Sequence, residues 1–180
     1  MLKEAVAFAA KAHEGAVRKG TTIPYITHPM ETAVIVSLMT SDEEVIAAAV
    51  LHDVLEDTAV TIEQLREKFG TRVAELVLSE TEDKRKSWKE RKAWGIRRAR
   101  EASREGKIMM LGDKLSNLRS TARDYLLLGE QIWERFNEKD KAMHAWYYCG
   151  IADALKDLEP YPAYQEFVML CKKVFGYQAG

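Results

Sequence analysis

With 180 residues, 47% hydrophobic and 31% charged, the chain has the length and balance of one soluble globular domain with a full core. Ten glycines and four prolines are too few for a loop-rich β sandwich or a disordered chain, and no apolar run approaches the ~18 residues that a membrane span needs. The net charge of −1 hides an asymmetry: between Lys84 and Lys107, eleven Lys or Arg stand against three acids, and the remainder carries 16 basic and 25 acidic residues.

The start, Met1-Leu2-Lys3-Glu4-Ala5, has an early acid and no long apolar stretch, so no secretory leader is expected. Residues 2–19 read as a helix, with Val6, Ala9, Ala10 and His13 near one face. A loop follows over 20–29, where Pro24 and Pro29 hold the residues before them extended and so aim His28. The second helix is expected after His28, with Pro29 in its first turn, through Met39. Ser41 is the expected cap of a third helix, with Glu44 placed for a capping box, and that helix runs through the apolar stretch 45–51 to Asp57.

Thr61-Ile62-Glu63-Gln64 opens a short helix stopped by Gly70, and Thr71 opens another through Leu78. A charged link covers 82–87, and a basic helix runs from about Trp88 to Ser103, ended by Gly106. Residues 107–113 are apolar enough for a buried strand, but no partner strands are evident, so they read as the start of a buried helix to about Leu128. Residues 130–137, 139–159 and 162–175 complete a set of amphipathic helices. No repeat or linker divides the chain, so the expected architecture is a single all-α domain over 1–180. Cys149 and Cys171 lie in apolar helical contexts and read as buried thiols of a reducing cytoplasm, the expected location.

The stretch richest in chemistry is Leu51-His52-Asp53-Val54-Leu55-Glu56-Asp57-Thr58. On a continuous helix, His52, Glu56, Asp53 and Asp57 project near ~0°, ~40°, ~100° and ~140°, less than half of the cylinder. Such crowding of carboxylates is costly unless a cation sits among them. The competing reading is a solvated acidic helix end. Two further candidates join His52 and Asp53: His28 on its Pro-flanked loop, and Asp113, a carboxylate behind an apolar run that needs a partner if buried. Two imidazoles and two carboxylates suit one Mn, Fe or Zn ion better than Mg or Ca, and leave open positions for water and phosphate oxygens. Glu56 and Asp57 are surplus to coordination; their natural work is to orient an attacking water and accept its proton. His13 and His144 read as core or surface histidines.

These pieces resemble the HD-domain hydrolases of the Rel/Spo type, most closely the stand-alone small alarmone hydrolases. The resemblance is carried by Ala12-His13-Glu14-Gly15, Arg18-Lys19, Pro24-Tyr25-Ile26-Thr27-His28-Pro29, His52 through Thr58, Phe69-Gly70, Thr81-Glu82-Asp83-Lys84 and Asp113 through Arg119, in the family's order. Ser116 stands where the long bifunctional members commonly carry His, and Gly112 where Ala is usual. The resemblance implies a compact multi-helix bundle with a buried site in which His28, His52, Asp53 and Asp113 hold one Mn²⁺, with Fe²⁺ or Zn²⁺ as alternatives. It implies that Glu56 and Asp57 handle the nucleophilic water, that Arg18 packs on a guanine base with Lys19 beside it, and that Asn117 reaches the ribose or a nearby phosphate. Lys84 is a further candidate phosphate contact. The implied reaction removes the 3′-pyrophosphate of guanosine tetra- or pentaphosphate ((p)ppGpp), giving GDP or GTP and pyrophosphate. The alternatives are a phosphatase of the same type acting on another nucleotide, such as the 2′-phosphate of NADPH, and a helical nucleic-acid binder using the basic segment with Trp88 or Trp94. Acidic residues elsewhere and the lack of a recognition motif disfavour the binder, so the expected partner is a small nucleotide rather than nucleic acid or membrane. The sequence does not fix an oligomeric state.

Overall fold

In the computed structural model, which describes residues 1–176, every regular element is helical and no strand occurs among the described residues. The α-helices are α1 (Leu2–Ala12), α2 (Thr27–Ser37), α3 (Glu43–Leu51), α4 (Val54–Asp57), α5 (Ile62–Phe69), α6 (Thr71–Glu80), α7 (Trp88–Glu101), α8 (Arg104–Leu128), α9 (Lys141–Ala154) and α10 (Pro162–Phe175). The expected all-α fold class is therefore what the chain adopts. No helix is long and apolar enough to cross a membrane.

The bundle is built on α8, which packs against α2 and α10 along most of its length and touches α3, α6 and α7. Its residues from Ile108 to Asp113 are all buried, so here the helix is enclosed on every side, which is why its sequence lacks an amphipathic period. Helix α3 is buried almost as fully. Its small residues Ala47, Ala48 and Ala49 let α1, α2, α6 and α8 all pack on one nine-residue helix.

Helix starts follow short polar side chains. Thr61 and Ser87 each make a complete capping box, with Gln64 and Glu90, while Ser103 and Asp140 accept single backbone N–H groups. The third helix departs from expectation: Asp42, not Ser41, caps it, accepting from the Glu44 and Val45 N–H groups, and no box forms.

Other boundaries shift for identifiable reasons. The first helix stops at Ala12 rather than 19, because the chain turns at Gly15 with φ of 80° and pairs Val17 with Pro24. Two backbone bonds close that hairpin, Arg18 N–H to Ile23 O at 2.8 Å and Tyr25 N–H to Ala16 O at 2.9 Å. Ala10, expected near the buried face, is exposed. The second helix begins at Thr27, so His28 lies inside its first turn and not on the loop. Gly106 does not end α7: Ala102 and Ser103 do, and Gly106 is buried in the first turn of α8. Residues 129–135 form a 3₁₀ segment, and the expected helix over 139–159 divides into α9 and a 3₁₀ turn at 156–158.

Helices α2 and α8 pack tightly at Gly112. A Cβ there would lie 2.7 Å from Val36 Cγ2 and 3.2 Å from the Thr32 carbonyl oxygen. Gly112→Ala is expected to destabilise by about 1–3 kcal/mol through overpacking, more than the ~1 kcal/mol that alanine gains in helix propensity. Urea midpoints check this, and pairing it with Val36→Ala should cost less than the sum of the single changes.

Candidate metal centre

The helix expected to run unbroken through Asp57 is interrupted at His52 and Asp53, between α3 and α4. The cause is local. His52 Nδ1 bonds the Ala49 carbonyl at 2.8 Å, the acceptor that a continuing helix would offer to the Asp53 N–H. That bond also fixes the tautomer: Nδ1 carries the proton, and Nε2 turns its lone pair into the interior.

His28 is oriented in the same way by a longer chain. Ser116 Oγ gives its proton to Glu31 Oε2 at 2.9 Å, so it accepts from His28 Nδ1–H at 2.8 Å and leaves Nε2 free. Arg119 secures the far end, pairing with Glu31 and Glu166 and so tying α2, α8 and α10 together.

Four expected side chains meet at this point. His28 Nε2 lies 3.2 Å from Asp113 Oδ1 and 3.6 Å from Asp53 Oδ2, and His52 Nε2 lies 3.0 Å from Asp53 Oδ2 and 3.7 Å from Asp113 Oδ1. The two imidazoles stand edge to face, centroids 5.1 Å apart. His28, His52 and Asp113 each offer one donor atom within 4.8 Å of the others, and all three are buried. His52 Nε2 makes no hydrogen bond despite its burial: the nearby oxygens lie off the line that one requires. An orphaned imidazole nitrogen among carboxylates, with its other nitrogen locked, is the donor arrangement that a divalent ion satisfies.

The electrostatics agree. Burial holds the His28 ring below its ordinary pKa, whereas at His52 the cost of burial is outweighed by Asp53 and Asp113, which hold that ring well above its own. Burial alone would raise both aspartates, yet His52 at Asp53 and Lys114 at Asp113 keep each well below the usual carboxylate range. Both carboxylates therefore stay ionised and draw a second proton onto the His52 ring at Nε2, the positive charge that a divalent ion would replace there.

Tyr25 spans the cluster's edge. Its hydroxyl donates to Asp53 Oδ2 at 2.6 Å and lies 3.2 Å from Asp57 Oδ2; burial and these carboxylates raise its pKa, so it remains a neutral donor. Glu56 is half-buried and accepts the Glu82 N–H on Oε2 at 3.2 Å; burial raises its pKa above the ordinary range. Asp57 is more occupied, with Lys84 Nζ on Oδ1 at 2.6 Å. Lys84 also bonds the Glu56 carbonyl at 2.7 Å; it is exposed and does not line the cavity beside the cluster.

That cavity, about 170 Å³, adjoins a second of about 350 Å³. Tyr25, His28 and Asn117 line both. Asn117 donates to Asp113 Oδ1 at 2.6 Å and accepts from Arg18 Nη2 at 2.7 Å. Arg18 lies 5.6 Å from the Tyr25 ring, and Lys19 reaches Asn137 across the larger cavity's rim. His13 packs on Tyr25 and His144 sits among Trp88, Trp133 and Phe136, both as core histidines. Trp88 therefore faces inward. Both cysteines are free thiols.

The sequence reading missed Tyr25, Glu31 and Ser116 as site residues. A signal existed for two: Glu31 follows His28, and Ser116 follows Asp113, by three residues, which on a helix is the same face. Lys114, Arg91 and Lys92 also line the smaller cavity; the charge excess of the 84–107 segment marks Arg91 and Lys92, and Lys114 stands next to the candidate ligand Asp113.

The HD domain family model matches residues 5–138, a stretch that contains every residue of the cluster. A zebrafish (Danio rerio) guanosine-3′,5′-bis(diphosphate) 3′-pyrophosphohydrolase MESH1 is 42% identical over 128 residues, covering 68% of this chain and 70% of the relative. A crystal structure from Listeria monocytogenes superposes with a TM-score of 0.77 at 36% identity, covering 83% of this chain and 99% of that one. A metazoan ortholog of SpoT that hydrolyses ppGpp superposes with the same TM-score of 0.77 at 28% identity, over 96% of this chain and 93% of that one. With its paired histidines, their carboxylate neighbours and the helices that carry them all inside the matched region, this chain belongs to the HD domain family.

Proposed function

We propose that the protein is a divalent-metal-dependent hydrolase that removes the 3′-pyrophosphate of guanosine tetra- or pentaphosphate, giving GDP or GTP and pyrophosphate. The observation that carries this reading is the convergence of His28, His52, Asp53 and Asp113 beside a half-buried glutamate and a second cavity of nucleotide dimensions. The relatives named for the same reaction support it. His28, His52, Asp53 and Asp113 are the residues that would hold one ion. Mn²⁺ is the proposed ion, with Fe²⁺ or Zn²⁺ the alternatives, and when bound it supplies Lewis acidity toward a phosphoryl oxygen.

The chain's own groups divide the remaining work. Glu56 Oε1 is paired with Lys84 Nζ only loosely, at 3.8 Å, and its raised pKa makes it a stronger base than an exposed glutamate, so it takes the proton of the attacking water. Asp57, held between Lys84 and Tyr25, orients that water and not the proton transfer. The water oxygen bonds to the phosphorus next to the ribose, the P–O3′ bond breaks, and the 3′ oxygen takes a proton as pyrophosphate departs. Arg18 lines the larger cavity as a planar cation that covers a purine face, with Lys19 at the rim, and Asn117 stands where the two cavities meet, beside the ribose. The protein acts in the cytoplasm, as the unpaired thiols suit.

Assays of pyrophosphate release from ppGpp with Mn²⁺, alongside phosphate release from NADPH, decide the substrate; turnover of NADPH alone would overturn the guanosine reading. Asp113→Ala is expected to abolish both metal retention and turnover, measured by elemental analysis and product release, and retained stoichiometric metal would remove Asp113 from the ligand set. Glu56→Gln should keep the ion and lose kcat by ~10²–10⁴. Because the Glu56 pKa is raised and its ionised form is the base, wild-type activity should fall on acidification at a higher pH than an ordinary glutamate would set, and that limb should disappear in Glu56→Gln. Arg18→Ala should raise KM more than it lowers kcat; the reverse split would place Arg18 at the transition state.

A further inference from the structure

The smaller cavity has a wall that the metal cluster and Glu56 leave unexplained. Arg91 and Lys92 of α7 and Lys114 of α8 line it, and none of them lines the larger cavity. They are held close: Arg91 Nη1 lies 2.7 Å from Glu82 Oε2, Lys92 Nζ lies 2.7 Å from Glu82 Oε1, and Lys114 pairs with Asp113. All are largely shielded, with side-chain exposures of 20% for Arg91, 18% for Lys92, 14% for Lys114 and 10% for Glu82. Tyr147 of α9 steadies both ammonium groups, its ring centroid 5.0 Å from Lys92 Nζ and 5.9 Å from Lys114 Nζ.

Of the other carboxylates lining this cavity, Arg98 holds Glu80 at 3.0 Å and Lys84 holds Asp57 at 2.6 Å, so Glu82 and Asp113 are the ones paired with these three cations. Once Asp113 is committed to a divalent ion, Lys114 loses part of its partner, and three positive groups share Glu82. Three cations sharing one carboxylate on this wall, with N–H donors to spare, offer charge-assisted contacts to a phosphate group. The position fits as well. A nucleotide reaching in from the larger cavity passes Asn117 and His28, presents its ribose-linked phosphorus to the cluster, and meets Arg91, Lys92 and Lys114 on the smaller cavity's wall.

We infer that Arg91, Lys92 and Lys114 seat the distal phosphate of a transferred diphosphoryl group, with Glu82 holding the three cations in place until substrate arrives. The seat makes the site selective for a 3′-diphosphate over a 3′-monophosphate. This inference rests on the proposed phosphohydrolase reading and adds to it the residues that read the second phosphate.

Calorimetric titration of the Mn²⁺-loaded protein with inorganic pyrophosphate and with orthophosphate reads the seat without turnover. Wild type should bind pyrophosphate at least ~10-fold more tightly, as one additional charge-assisted contact would give, and Arg91→Ala and Lys92→Ala should each erase most of that preference, with Lys92→Arg restoring it. In kinetics, the ratio of kcat/KM for guanosine 5′-diphosphate 3′-diphosphate to that for the 3′-monophosphate should fall by about the same factor in both alanine variants. Equal affinity of wild type for the two anions, or variants that lose both substrates in proportion, overturns the inference. Pyrophosphate binding that depends on Arg91 and Lys92 in a protein that does not hydrolyse the guanosine substrate would overturn the functional proposal and keep the seat.

Discussion

Two imidazole nitrogens and two carboxylates brought together in a dry interior are the constraint that organises this protein. Desolvating an ion costs several kcal/mol, and a buried donor or acceptor without a partner costs about 1–3 kcal/mol. Here Asp113 is buried and Asp53 half-buried, and His52 Nε2 has no hydrogen bond. Packing energy from the surrounding Leu, Ile, Val and Ala residues holds the groups at this distance, but it does not satisfy them. A cation does, which is why the same cluster that is costly to fold is suited to bind metal.

The precision of the cluster comes from the contact between α2 and α8. Gly112 lets the two helices approach until a methyl group would no longer fit, and one turn later Ser116 reaches His28. Gly112 and Ser116 therefore belong to one structural solution in this chain. The glycine lets the helices close, and the serine hydroxyl, backed by Glu31 and Arg119, holds the His28 ring. On the other side, the side chain of His52 takes the Ala49 carbonyl and ends α3 where Asp53 must turn inward.

The basic segment has a different character from the one its charge count suggests. Much of it is consumed internally: Lys84 on Asp57, Arg85 on Asp83, Arg98 on Glu80, Lys107 on Asp157. Of these, Lys84 on Asp57 and Arg98 on Glu80 fasten the segment to the acidic side of the site. Trp88 is part of the core, and Trp94 lies beneath the Arg98 guanidinium at 4.6 Å. Two of the segment's shielded cations, Arg91 and Lys92, line the cavity beside the cluster.

Much of this was legible in the residues themselves. The helical class followed from apolar periods and from caps such as Thr61 with Gln64, because those signals are local and each helix settles them alone. The residues of the cluster were legible too, since a histidine or aspartate next to an apolar run has few inexpensive fates. What the sequence did not determine depends on partners distant along the chain. The break at His52 arises because a side chain competes with the backbone for one carbonyl, and a helical wheel assumes that competition away. The chain Glu31–Ser116–His28 joins residues 85 and 88 positions apart, and the role of Tyr25 requires Asp53 to be folded against it from 28 positions on. Which cations face the cavity and which merely pair on the surface was decided only when α7 and α8 were packed around Glu82, because charge along a chain has no direction until the fold gives it one.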